Sequence, residues 1–244
     1  MTASRNILVT GVSRGVGLAI VRTLLKSGDT VYGVSRSSGE ALAELRKEYP
    51  GRLHWKAVDL ENTDAISQTI FDDFLNLDVP LHGFVNNAAL AYDDIVTNLQ
   101  VTPLERMFRV NVYSPMMLVK SAIRNMLFHR TEGSLVHISS ISVHTGYKGL
   151  AMYAASKGAL EAFSKNTARE WGERGIRSNC VVAGFMDTDM SSGLSDEQRQ
   201  RIYRRTALKR ATSLESVAET VAFLLSENSA SVTGQNLFVD NGTL

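Results

Sequence analysis

The chain lacks most of the features that mark a specialised class. Its 244 residues include a single cysteine, Cys180, which cannot close a disulfide within the chain. Apolar neighbours such as Ile176, Val181 and Val182 make that thiol a buried strand residue rather than a nucleophile, and a reducing compartment fits it best. Only 4 prolines occur, and no composition break, internal repeat or low-complexity stretch divides the chain, so one domain over 1–244 is expected. Neither charge is in excess. With 26 Lys and Arg against 25 Asp and Glu the formal charge is +1, which removes the usual argument for nucleic acid or a membrane surface as partner. No apolar run approaches the about 18 uninterrupted residues of a spanning helix. The polar start MTASRN passes straight into Ile7–Val9 without the apolar core of a signal peptide, so the expectation is a soluble cytoplasmic protein, with no metal site.

What the sequence does have is alternation. Short β-branched runs recur at Ile7–Thr10, Thr30–Ser35, Leu53–Val58, Gly83–Asn86, Ser134–Ser139, Ile176–Val182 and Asn236–Val239, each bounded by Gly, Asn, Asp or Ser. Between them helical periodicity runs over Val16–Ser27, Gly39–Glu48, Asp64–Leu75, Pro103–Phe128, Met152–Arg174 and Leu214–Ser226. Strand alternating with helix predicts an α/β fold, a parallel sheet of about seven strands covered by helices on both faces. The stretch 187–210 breaks the rhythm. It carries Arg199, Arg201, Arg204, Arg205, Lys209 and Arg210 against few acids, and reads either as a solvated basic helix or as a mobile lid over a substrate.

Two places carry chemistry. After the first strand comes Thr10-Gly11-Val12-Ser13-Arg14-Gly15-Val16-Gly17, then a helix with Leu18, Val21, Leu24 and Leu25 on its apolar face. Glycines let the backbone approach a pyrophosphate, and a helix N-terminus offers it unpaired N–H groups. At the end of the second strand an acid would favour a free ribose 2′-hydroxyl; the chain has Ser35-Arg36 there, with Arg14 as a second cation, which favours a 2′-phosphate and hence NADPH. Farther on, Tyr153-Ala-Ala-Ser-Lys157 puts phenol and ammonium four residues apart, on one helix face. A neighbouring ammonium is expected to lower the phenol's pKa from its ordinary value of about 10 and fit it for proton transfer. Asn111 is a polar residue within a long apolar helix, either a satisfied core amide or a working one.

The spacing TGxxxGxG, followed by YxxxK, resembles the short-chain dehydrogenase/reductase family, and the likeness runs over nearly the whole chain. It implies a single-domain, Rossmann-type doubly wound sheet and a catalytic set of Asn111, Ser140, Tyr153 and Lys157. Ser140, thirteen residues before Tyr153, would orient the substrate carbonyl, with Ser139 and Ser142 as alternatives. Asn111 would hold a helix kink and a water relaying protons to the lysine. The cofactor would meet Gly11, Ser13, Arg14, Gly15, Val16 and Gly17 at its phosphates and Ser35 and Arg36 at the ribose phosphate. It would meet Asp59 and Leu60 at the adenine, and Asn87 and Ala88 of Asn86-Asn87-Ala88 beside the ribose. Tyr153 and Lys157, and then Met186 and Thr188 in Gly184-Phe185-Met186-Asp187-Thr188, would complete its binding at the nicotinamide end. Three positions depart from the family pattern: Ala89 for glycine, Ala183 for proline, and Asn241 in a Val-Asp-Asn-Gly ending. His144, Tyr147 and Met190 are candidates for the substrate pocket.

Within the family the chain is most similar to 3-oxoacyl-[acyl-carrier-protein] reductases. That likeness implies a ketone or acyl thioester substrate, NADPH as cofactor, and an acidic acyl carrier protein docked by basic residues such as Arg174, Arg130 and the 187–210 lid. Reduction of a polyketide or sugar ketone in secondary metabolism is the alternative, and a non-catalytic NADP(H)-sensing protein a further one. The apolar helices around Asn111 and Tyr153, with Met116, Leu118, Ala122, Ala154, Ala159 and Phe163, are expected to pair across two-fold axes into a homotetramer.

Overall fold

The β-branched runs form β1 Asn6–Thr10, β2 Thr30–Ser35, β3 Leu53–Ala57, β4 Gly83–Asn86, β5 Gly133–Ser140, β6 Ile176–Ala183 and β7 Asn236–Val239. They join in one 7-stranded sheet of order β3-β2-β1-β4-β5-β6-β7, every pair parallel. These are features of a computed structural model, which describes residues 4–188 and 193–244. The sheet's order reverses between β1 and β4, the switch point where strand ends leave a crevice for a ligand.

The central strands read as nearly unbroken apolar runs because both sheet faces are covered. On one face Ile7, Val9, Val136 and Val181 pack against Ile20 and Leu24 of α1 (Gly15–Lys26) and Val217, Val221 and Leu224 of α7 (Leu214–Leu225). On the other, Leu8, Phe84, Leu135 and Ile176 pack against Leu118, Ala122 and Met126 of α4 (Ser114–His129). That second face also receives α5 (Ala151–Trp171), which packs against β5 and β6. The outer layers are completed by α2 (Glu40–Glu48), α3 (Val101–Phe108) and α6 (Asp196–Arg205). No helix among the described residues is long and apolar enough to cross a membrane.

Several expectations need correction. The predicted helix over 103–128 is two helices, α3 and α4, joined by a π turn at Arg109–Tyr113. Asn111 lies within that turn and is fully buried. The predicted helix over 64–75 is a π segment, Gln68–Leu75. The helix expected to reach Arg174 stops at Trp171 and unwinds through a 3-10 turn into Gly175, whose φ of 72° is left-handed. Within 187–210 the basic residues sit largely on α6, which opens with a reciprocal Ser195–Gln198 capping box and buries none of its residues. Of the side chains expected to need a partner subunit, Leu118 and Ala122 are fully covered by this chain's own core. The thiol of Cys180 is buried, and burial pushes it up to about 12, so it packs and does not react.

Candidate functional site

The glycine turn is built to be crowded on one side and open on the other. A Cβ on Gly17 would lie 2.0 Å from the Gly11 carbonyl oxygen, and one on Gly11 would meet Ala88 and Asn87 at 2.9 Å. Gly11 and Gly15 have φ of 74° and 55°, conformations that glycine adopts without strain. Among the described residues, only the Thr188 methyl lies within 4 Å of a Cβ at Gly15, at 3.9 Å. That contact brings the loop after β6 over the start of α1. Arg14 takes the N-cap position of α1 without a side-chain capping bond, and the first turn holds no acid, so the positive helix end faces the crevice. Asn87 anchors the turn: its Nδ2 donates to the carbonyls of Thr10 (2.9 Å) and Gly11 (3.1 Å). The Thr10 hydroxyl accepts from the backbone N–H of Asn87 and Ala88, both at 3.1 Å.

At the end of β2 the two residues read as phosphate ligands divide. Arg36 is exposed, whereas Ser35 is buried with its hydroxyl already engaged, donating to the Ser37 carbonyl at 2.7 Å and accepting from Trp55 Nε1 at 2.9 Å. Ser35 therefore shapes the turn that presents Arg36. Asp59 is exposed, accepting from the Glu61 N–H at 3.0 Å, and Leu60 is buried with its carbonyl held by the Ser114 hydroxyl. A cavity of about 170 Å³ lies beside them, lined by Val58, Asp59, Asn62, Ile66 and Thr69 among others. Ser13 and Val16 lie in the turn itself, Val16 buried.

At the chemical end, β5 and α5 bring three of the expected groups together. Lys157 is 1% exposed, its Nζ donates to the Ile138 carbonyl at 2.7 Å, and it stands 5.8 Å from the Tyr153 ring centroid. Ser140, at the end of β5, accepts from the Ser142 backbone N–H (3.2 Å) and hydroxyl (2.9 Å), which directs its own proton elsewhere. The alternatives separate: Ser142 serves Ser140, and Ser139 points under α5 and donates to Glu161. Asn111 joins the loop after β4 to α5. Its Oδ1 accepts from Leu90 N–H at 2.8 Å, and its Nδ2 donates to the Leu90 carbonyl (2.9 Å) and to Ser156 Oγ (3.0 Å). With both amide protons spent on protein, a water relay at Asn111 would have to use the main chain of the π turn.

Electrostatics depart from the simple expectation for Tyr153. Its pKa is raised, first by burial and second by the Asp93 carboxylate, and the ammonium does not lower it. Burial also pushes Lys157 down to about 8, and His137, buried under the same helix, down to about 4 with the help of Lys157. Desolvation outweighs the pair attraction because both partners leave water. Asp93 is a residue that sequence patterning missed. The loop carrying it is pinned at Leu90 by Asn111 and at Asp94, whose N–H donates to the Gly149 carbonyl at 2.9 Å.

The loop after β6 is tied in by Gly184, where a Cβ would lie 2.6 Å from Asp240 Cα, and by the Thr212 N–H bond to the Phe185 carbonyl at 2.8 Å. Ala183 continues β6 at the position where proline was the family pattern. Met186 packs against the core and Thr188 lies at the glycine turn; Met190 lies outside the described residues. His144 does not offer its Nε2 to a substrate but to Glu161, and Tyr147 holds the turn before α5 through its carbonyl, which accepts from Leu150 N–H at 3.2 Å. Asn241 has a φ of 57°, so asparagine here takes the left-handed geometry that glycine would otherwise supply.

A profile of the family described as enoyl-(acyl carrier protein) reductase matches residues 11–243. The chain is 32% identical over 240 residues to the 3-oxoacyl-[acyl-carrier-protein] reductase FabG of Chlamydia pneumoniae, covering 98% of this chain and 96% of the relative. To the enzyme of the same name from Escherichia coli (strain K12) it is 34% identical over 237 residues, covering 96% and 95%. Among solved structures, one titled "ElxO with NADP Bound" superposes with a TM-score of 0.90 at 24% identity over 99% of both chains. Another, a short chain dehydrogenase/reductase family protein, gives 0.87 at 27% identity over 99% and 98%.

Proposed function

Because this chain belongs to the short-chain dehydrogenase/reductase family of oxidoreductases, we propose that it reduces a ketone to a secondary alcohol with NADPH, and that its substrate is a 3-oxoacyl thioester carried on acyl carrier protein. The observation that carries the reading is the buried Lys157 ammonium 5.8 Å from the Tyr153 ring centroid, in a helix that packs against the 3-10 turn following Ser140.

The residues fit a dinucleotide phosphate. Open space before Gly15 and the positive end of α1 suit the pyrophosphate, with Gly11, Ser13, Arg14, Val16 and Gly17 forming the turn around it. Arg36 and Arg14, both exposed guanidinium groups, suit a 2′-phosphate, and an NADP-bound neighbour of the same fold supports that choice. Asp59, Leu60, Asn87, Ala88, Met186 and Thr188 would hold the adenine and nicotinamide ends. Bound there, the cofactor supplies the hydride. This chain does the rest. Ser140 donates its unspent proton to the substrate oxygen and stabilises charge developing on it. Tyr153, kept protonated by burial, gives its phenolic proton to that oxygen as the alcohol forms. Lys157 stabilises the phenolate left behind, and Asn111 holds loop and helix in register so that the set stays assembled.

Arg130 and Arg174 are exposed and α6 presents further arginines, cations suited to an acidic carrier. The segment 187–210 would act as the lid, with Asp187 as its latch: Arg199 Nη1 and the Tyr203 hydroxyl donate to it at 2.5 and 2.6 Å. The protein would work in the cytoplasm as a homotetramer, which light scattering checks; a monomer would refute that part. Steady-state NADPH oxidation with acetoacetyl groups on carrier protein, on coenzyme A and as a free ester tests the function. The highest kcat/KM is expected on the carrier. Preference for free ketones would favour a secondary-metabolic reductase, turnover of an enoyl thioester alone would favour the profile's description, and tight NADPH binding without turnover would favour a sensor.

A further inference from the structure

On the face of α5 turned under the sheet's far end, one carboxylate collects bonds from three other elements. Glu161 is 8% exposed. Its Oε1 accepts from the Ser139 hydroxyl, the last residue but one of β5, and lies 3.1 Å from His144 Nε2, which also stands 2.9 Å from Oε2. Oε2 accepts from Asn236 Nδ2 of β7 at 2.6 Å. The His144 ring is held edge-on against Phe238, centroids 4.8 Å apart, and its backbone N–H closes the 3-10 turn Ile141–Val143 by donating to the Ile141 carbonyl at 3.0 Å.

The consequence lies in what is bracketed. Ser140 sits between Ser139 and the turn that His144 ends, so Glu161 grips the chain on both sides of it. The same carboxylate rides on the helix of Tyr153 and Lys157, about two turns past the first and one past the second. A shift of the β5 end against α5 would move the serine proton away from the point that the phenol proton must also reach, and such misplacement is heavily penalised. We propose that Glu161, acting through Ser139 and His144, is a positioning residue that fixes Ser140 relative to Tyr153. This rests on the ketoreductase reading of the site.

The test is a double-mutant cycle between His144→Leu and Ser140→Ala, read as kcat with acetoacetyl-coenzyme A, alongside the NADPH dissociation constant and the melting temperature. Ser140→Ala alone should lower kcat on the order of 100-fold. His144→Leu alone should lower it about 10-fold with NADPH affinity unchanged, and should add nothing once Ser140 is gone. His144→Gln, whose amide N–H reaches the same carboxylate, should restore most of the rate. Additive losses, or a His144→Leu enzyme with normal kcat, would overturn the positioning role. Should His144→Leu fail to fold, Glu161→Gln replaces it: that amide sets N–H against the donors of Asn236 or of His144, and the same loss, absent in the Ser140→Ala background, is expected. A wild-type chain inactive on every ketone would instead sink the ketoreductase reading, and this proposal with it.

Discussion

The glycine turn and the catalytic helix prepare for their ligands in opposite ways. At the turn, side chains are removed: Gly17 leaves no room for a Cβ, and Gly11 and Gly15 take left-handed geometry. Neutral bonds from Thr10 and Asn87 then fix the bare backbone. At the helix, ionisable side chains leave water: Lys157 and His137 are buried within or beneath α5, and Tyr153 is partly so. The first strategy relies on shape and helix-end polarity. The second holds groups away from their ordinary protonation equilibria, where a small change in surroundings moves a proton.

That contrast predicts which substitutions strike chemistry and which strike binding. Tyr153→Phe should lower kcat about 1,000-fold while leaving NADPH affinity intact, since only the proton donor is lost; retained turnover would remove Tyr153 from its role. Gly17→Ala should do the reverse. Its methyl is driven onto the Gly11 carbonyl, so it should destabilise the fold by about 1–3 kcal/mol in chemical denaturation and weaken cofactor binding. A variant with unchanged stability and affinity would mean the turn is not the tight element described. Arg36→Asp should weaken NADPH about 10–100-fold in fluorescence titration and NADH far less, because a charge-assisted contact becomes a repulsion. Equal effects on both would place the 2′-phosphate elsewhere.

A smaller effect concerns pH. With Lys157 pushed down to about 8, its ammonium is present below that pH and lost above it, so the rate of ketone reduction should fall as pH rises through about 8. Stability moves the other way. The unfolded chain keeps this proton to a pH of about 10.5, so between the two values the folded state is relieved of a buried charge and its stability rises with pH. A falling rate with no loss of melting temperature separates this titration from unfolding. A flat profile from pH 6 to about 9 would take the lysine out of the account.

How much of this was legible in the residues follows the same divide. The runs Thr30–Ser35, Gly83–Asn86 and Asn236–Val239 match their strands residue for residue, because period and bounding residues are local signals. The glycine turn was legible for the same reason. The π turn at Arg109–Tyr113 was not, since it holds Asn111, whose partners Leu90 and Ser156 lie far off in sequence. Nor was the fate of the serines: which of Ser139, Ser140 and Ser142 faces the crevice depends on strand alternation at the very end of β5 and on Glu161, which in sequence looks like any helix acid. The sign of the Tyr153 shift was misjudged because spacing reveals the neighbouring cation but not the loss of water around both groups.

The fold favours the acid form of Tyr153, ready to donate. This claim is tested most directly by ¹³Cζ-tyrosine NMR titration of the free protein, with Tyr153→Phe used to assign the resonance. A Tyr153 signal still that of an un-ionised phenol is expected at about pH 11, above the ordinary tyrosine midpoint of about 10. A resonance that titrates below that midpoint would contradict the claim.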